Sequence, residues 1–278
     1  LVFNGVELLV TDLLGPAVPA TQLADILTGS ALADTINGLG GDDTIEGLEG
    51  GDTLLGDLGI DTLSYDRSDA AVVVTLNGAA AATASGGHAQ GDIATGFENI
   101  TGSSYDDVLT GDLNVNLLKG GDGEDVLAGK AGNDTLEGGD GADVRIGGAG
   151  ADVLRGGDGM DTASYRDATA SVVVNLLGGV NSGDAAGDTF ASIENIEGSA
   201  FADTLNGNND ANLIVGGAGV DIIDGKGGDD TLSGGAGADT LTGGLGDAAL
   251  DGGDGDDTLI GGPGADSFSG GAGVDTVR

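Results

Sequence analysis

The chain has 278 residues, 59 of them glycine, and sets 47 acidic side chains against eight basic ones for a net charge of −39. That sign excludes a basic nucleic-acid footprint and attraction to anionic membrane surfaces. The lack of cysteine excludes disulfides and thiolate metal sites, and no apolar run is long enough to insert across a bilayer. So much glycine and charge ordinarily means disorder, yet 39% of residues are apolar and the mean hydropathy is +0.08. Eight Lys and Arg cannot offset 47 carboxylates, which points to a multivalent cation.

Residues 1–19 hold one apolar stretch, Val6–Val10, with Pro16 and Pro19, and read as a linker or the tail of a preceding unit. From Ala20 to Ser64 the sequence repeats every nine residues, in five units with Asp25, Asp34, Asp43, Asp52 and Asp61 at the sixth position. Residues 65–101 break the period. A second run covers 102–164 in seven units, where the template G-G-x-G-x-D-x-U-x, with U a large aliphatic residue, is plain: GGDGEDVLA, GKAGNDTLE, GGDGADVRI. Residues 165–197 interrupt again, and a third run fills 198–278 with nine units. The interruptions copy one another, with Tyr65, Val72-Val73-Val74, Gly91-Asp92 and Glu98-Asn99-Ile100 matching Tyr165, Val172-Val173-Val174, Gly187-Asp188 and Glu194-Asn195-Ile196. Each is predicted to run strand, Gly/Ala/Ser-rich loop, strand. The chain starts at Leu1 and stops at Arg278 in mid-pattern, so an internal segment of a longer protein is expected.

One unit explains its own shape. Glycines at positions one, two and four permit a tight turn, and the D-x-U triplet is β-prone with U pointing inward. A three-residue strand cannot bury one side chain alone, but stacked units can: Leu27, Ile36, Ile45, Leu54 and Leu63 would form a continuous thin core. The turns then align carboxylates and main-chain carbonyls, the hard oxygen donors that Ca²⁺ prefers.

These nonapeptides resemble the RTX (repeats-in-toxin) family of secreted bacterial calcium-binding proteins. The resemblance implies an all-β fold, a parallel β-roll (β-solenoid) interrupted by the two strand–loop–strand inserts. It implies two units per turn, ions held between units n and n+2, and position-six Asp bridging neighbouring ions. The implied ligands are Asp25, Asp34, Asp43, Asp52 and Asp61 in the first run and Asp107, Asp125, Asp134, Asp143, Asp152 and Asp161 in the second. In the third they are Asp203, Asp221, Asp230, Asp239, Asp257, Asp266 and Asp275. The implied cofactor is calcium, about a dozen ions in all. Departures fall at Asn116 and Asn212, which offer a neutral oxygen, and at Ala248, which offers none; Asp247, one residue early, is expected to point elsewhere. Arg145 and Ala163 stand where aliphatic residues belong, on the same sheet, so Arg145 is expected to snorkel outward and that sheet to fray or be capped by the insert.

No nucleophile elbow, phosphate loop or HExxH occurs. The single His88 lies in a loop and is expected at the surface, and the tyrosines are expected to pack at the insert borders. The chain therefore reads as non-catalytic. One function is a calcium-dependent structural or adhesive segment of a secreted protein, such as a spacer, adhesin stalk or surface layer, with further copies of itself or cell-surface glycans as partners. The alternative is a calcium-binding, secretion-assisting appendage of an extracellular protease, lipase or polysaccharide epimerase. The 100-residue recurrence favours the first.

Overall fold

A computed structural model describes residues 20–278, and before them only two paired strands, Val2–Phe3 and Val6–Glu7. The linker reading of 1–19 otherwise lies outside the described residues. The chain divides into two units, 1–129 and 130–278. Each is an all-β parallel roll.

In the first unit the strands Ile26–Thr28, Thr44–Glu46 and Thr62–Ser64 stack in parallel, with Leu27 beside Ile45 and Ile45 beside Leu63. The alternate units, Thr35–Asn37 and Thr53–Leu55, pair in the same way. Partners are 18 residues apart because two nine-residue units complete one turn. The middle residue of each triplet is buried. Its neighbours are exposed or half-buried, the alternation a strand requires, except at Glu46 and Ser64, which are buried too. Leu27, Ile45, Leu54 and Leu63 are essentially inaccessible to solvent.

The second unit repeats the scheme. Val144–Ala149 pairs with Thr162–Ser164, and Leu213–Ala218, Thr231–Ala236, Ala249–Asp254 and Ser267–Ala272 follow in one sheet. Thr204–Asn206, Ile222–Asp224, Thr240–Thr242, Thr258–Ile260 and Thr276–Val277 form another.

The inserts carry more strands than strand–loop–strand predicts. In the first, Ile93–Thr95 adds to Thr53–Leu55, while Asn99–Thr101 lies between Thr62–Ser64 and Leu117–Asp122. Val73–Asn77 starts fresh, pairing with Val108–Thr110 on one side and with Ala80–Ser85 in an antiparallel hairpin on the other. The second insert places Thr189–Ala191, Asn195–Glu197 and Val173–Asn175 likewise, except that Val173–Asn175 has a single antiparallel bridge to Ser182 in place of the hairpin strand. One sheet passes through each insert, one gains its added strand there, and one starts anew.

One expectation is corrected here, and of the two outcomes expected for the sheet at Ala163 it is the covering by the insert that occurs. Arg145 does not snorkel: its side chain is fully buried, for reasons given below. The sheet does not fray at Ala163, because Asn195–Glu197 pairs there with Ile196 beside Ala163, and Ile196 leads on to Ile214.

Candidate calcium ladder

The side chain at position six turns inward at the end of each glycine turn. One carboxylate oxygen, Oδ1, accepts a hydrogen bond from the backbone N–H of the position-six residue 18 places earlier. The bond runs from Asp25 to Asp43, Asp34 to Asp52 and Asp43 to Asp61, each at 2.8 Å. In the second unit it links Asp134 to Asp152, Asp203 to Asp221, Asp221 to Asp239, and Asp239 to Asp257, all at 2.8 Å, and Asp257 to Asp275 at 3.1 Å. These bonds lock the register of successive turns.

The other oxygen separates the candidate ligands into groups. For Asp43, Asp52, Asp61, Asp152, Asp161, Asp221, Asp230, Asp239 and Asp257, Oδ2 is buried without a hydrogen-bond partner. It faces the position-one glycine of its own unit. A Cβ added at Gly216, Gly234 or Gly252 would strike Oδ2 of Asp221, Asp239 or Asp257 together with the carbonyl oxygen of Gly234, Gly252 or Gly270. Each station is thus a cradle of carboxylate and carbonyl oxygen that only glycine leaves open. Among the described residues no three His, Cys, Asp or Glu converge on one point. Main-chain carbonyls therefore have to complete any shell, which suits a hard cation with flexible coordination.

Asp25, Asp34, Asp107 and Asp203 differ, because their own turns close on Oδ2. The backbone N–H of Thr21, Ser30, Ser103 or Ser199, four residues earlier, donates to it. Asn116 and Asn212 accept in the same way from the N–H of Asp112 and Asn208, and their amides donate to the carbonyls of Glu98 and Glu194. These six residues belong to the first two units of each run. The position-two side chain there also caps the N–H of position four, as from Leu32 to Ser30 and from Phe201 to Ser199. The signal was legible: these units lack glycine at position four and carry Ser, Thr, Asp or Asn at position two.

Asp125 and Asp134 are buried, whereas Asp266 and Asp275 are half-buried near the C-terminal end of the described chain. The ladder breaks at Ala248, where the cradle of Gly243 meets a methyl group in place of a carboxylate. Asp247 does point elsewhere. It joins an outer ladder at position five that runs the opposite way, with Asp229 accepting from the N–H of Asp247, and Asp247 from that of Ala265. Asp42, Asp106 and Asp256 do the same for Ile60, Glu124 and Val274.

Sequence reasoning missed the acids by which the inserts continue the ladder. Asp92 and Asp188 accept from the N–H of Asp52 and Asp152, and Glu98 and Glu194 from that of Asp61 and Asp161. Their matching positions in the two insert copies were the available clue. The buried Tyr65 and Tyr165 donate their hydroxyls to Oδ2 of Asp92 and Asp188, at 3.1 and 2.7 Å, which fits their expected packing role. His88 is not a surface residue. It lies buried in the 3-10 turn Gly87–Ala89, where the insert folds back and its N–H donates to Ser68 Oγ.

Burial dominates the electrostatics. Desolvation pushes Asp221 and Asp230 from the ordinary 3.8 up to about 6, partly opposed by their ladder hydrogen bonds. Asp52, Asp61, Asp152 and Asp239 move up for the same reason. Carboxylates this costly to ionise, each with one buried oxygen that no protein group partners, fit a divalent ion.

The RTX calcium-binding nonapeptide repeat (4 copies) matches residues 25–63, 94–127, 119–154, 138–163, 188–223, 215–248 and 249–278. The chain belongs to that family. RTX repeats bind calcium, and this β-roll is a calcium-binding structural domain. No curated protein matches the chain.

The broken and unbroken ladders of the last run predict an asymmetry. Ala248→Asp should restore a cradle and raise stability in calcium by about 1–3 kcal/mol, the gain from one more filled site. Asp239→Ala should cost more than Asp230→Ala, because only Asp239 has a carboxylate on both sides of its ladder. Calcium titration and thermal melting check both; no gain from Ala248→Asp would mean that carbonyls alone set these sites. A second expectation concerns pH. A carboxyl whose pKa is raised on folding stabilises the fold below its unfolded pKa, and that contribution is lost as pH rises through the folded value. In chelator, β-structure should therefore increase as pH falls from about 6 towards 3.8, the window between the folded and unfolded values. Circular dichroism reads this directly, and in calcium the sign should reverse, because Ca²⁺ binds the ionised carboxylate and competes with the proton.

Proposed function

We propose that this RTX segment is a calcium-hardened, non-catalytic spacer or adhesive stalk in a secreted bacterial protein. It would leave the cell unfolded and fold on meeting millimolar calcium outside. The observation that carries the reading is the column of buried, unpartnered Oδ2 atoms at Asp221, Asp239 and Asp257, since a coil with that interior is costly wherever the cation is scarce. The recurrence of one insert design, with Tyr65–Asp92 repeated as Tyr165–Asp188, supports a tandem structural element. A β-roll of this kind would present its flanks to further copies of itself or to cell-surface glycans.

Ion number follows from the cradles. The capped residues that open each run are not stations of the same kind, so calcium should concentrate on the interior aspartates. Circular dichroism in EDTA and then in millimolar calcium provides the test. The chain should be largely unfolded at neutral pH in EDTA and gain its β spectrum cooperatively on adding calcium. A β spectrum insensitive to chelator would overturn the reading.

A further inference from the structure

Arg145 is the largest fully buried side chain in the described structure. It occupies the inward position of Val144–Ala149, where the repeat calls for an aliphatic residue. Burying a guanidinium is costly unless it is paired and hydrogen-bonded. Its Nη2 lies 2.9 Å from Asp143 Oδ2, 2.9 Å from the Gly156 carbonyl oxygen and 3.0 Å from Asp161 Oδ1. Two of those three acceptors are the pair that recurs down the coil: the Oδ2 of a unit's own aspartate and the carbonyl of the position-one glycine 18 residues on. The cradle of Gly138 shows the same coincidence, since an added Cβ there would strike both Arg145 Nη2 and Asp143 Oδ2. In the equivalent cradles of Gly216, Gly234 and Gly252 no side chain reaches the carboxylate oxygen. Ala163, paired with Arg145 on the adjoining strand, supplies room that a leucine would fill. The two departures from the repeat are therefore complementary.

We infer that Arg145 is a covalently tethered substitute for one calcium ion, holding the Asp143–Asp161 station closed whether or not calcium is present. The inference rests on the calcium reading of the other stations. Here Nη2 alone meets both carboxylates and the carbonyl, Nη1 lies 3.4 Å from the Asp143 carbonyl oxygen, and Nε is buried without a hydrogen-bond partner. A guanidinium keeps its charge at any physiological pH and cannot dissociate from the chain. Its single charge serves a station bounded on one side by Glu194, which holds the N–H of Asp161. The consequence is a short stretch of the second unit, around residues 138–163, that stays ordered when the rest of the ladder has lost its ions.

The test compares the wild-type chain with Arg145→Leu, which restores the repeat residue, and Arg145→Met, which keeps much of the volume without charge. Calcium content is counted by equilibrium dialysis and atomic emission, and amide hydrogen exchange is followed in calcium and in EDTA. Both variants should bind about one more ion per chain than wild type, a new hard-oxygen site. In EDTA the wild-type 138–163 stretch should exchange about tenfold more slowly than 221–257, and the variants should lose that difference. Unchanged ion counts and unchanged exchange would overturn the inference, as would variants that stay unfolded in saturating calcium, since calcium could then not replace the guanidinium. A wild-type chain that takes up no calcium would instead bring down the calcium reading beneath it.

Discussion

A column of carboxylates held in register inside the coil is the constraint on which this structure depends. Neighbouring strands lie about 4.8 Å apart, and two like charges at that spacing repel by about 3 kcal/mol at an effective dielectric of about 20. A hydrogen bond to a charged acceptor returns about 1.5–3 kcal/mol. The backbone donors of the ladder therefore come close to balancing the repulsion and leave little surplus. The core is one aliphatic residue thick per strand, so it cannot carry the fold against a shortfall repeated at every turn. A divalent ion in a cradle would remove the repulsion and partner the stranded Oδ2 in the same contact.

The chain's own donors stand where the ladder starts or reaches an insert, apart from the arginine in the second unit. Seryl turns close on Asp34, Asp107 and Asp203 and a threonyl turn on Asp25, tyrosine hydroxyls close on Asp92 and Asp188, and asparagine amides reach the carbonyls of Glu98 and Glu194. At such places an ion would lack a full turn on one side, and a donor fixed in the chain serves better than a half-built site. Arg145 extends that logic to a charged donor. The inserts accordingly act as end-fittings of the ladder as well as starting points for a new sheet.

Most of the fold was legible in the sequence because the period of nine fixes both the strand triplet and the 18-residue register. Leu27, Leu54 and Leu63 could be placed in the core from spacing alone, and they are buried. The inserts were less legible. Their strands are joined by hydrogen bonds spanning 31 to 40 residues, such as Asp52 to Asp92 and Val172 to Asp203, and no local period announces such pairings. His88 and Arg145 misled for opposite reasons. A histidine among glycines suggests a surface loop until the insert folds over it. An arginine at an apolar position suggests escape to solvent until two aspartates and a carbonyl are found waiting for it. The split between capped and open aspartates was written at positions two and four, but its meaning depends on knowing which oxygen faces inward.

The most direct measurement is anomalous diffraction from crystals grown in calcium, which locates the ions without reference to the protein's shape. The account predicts peaks about 2.3–2.6 Å from Oδ2 of Asp221, Asp239 and Asp257, within the cradles of Gly216, Gly234 and Gly252. Peaks confined to the outer position-five ladder of Asp229 and Asp247, with the inner oxygens still unpartnered, would contradict it.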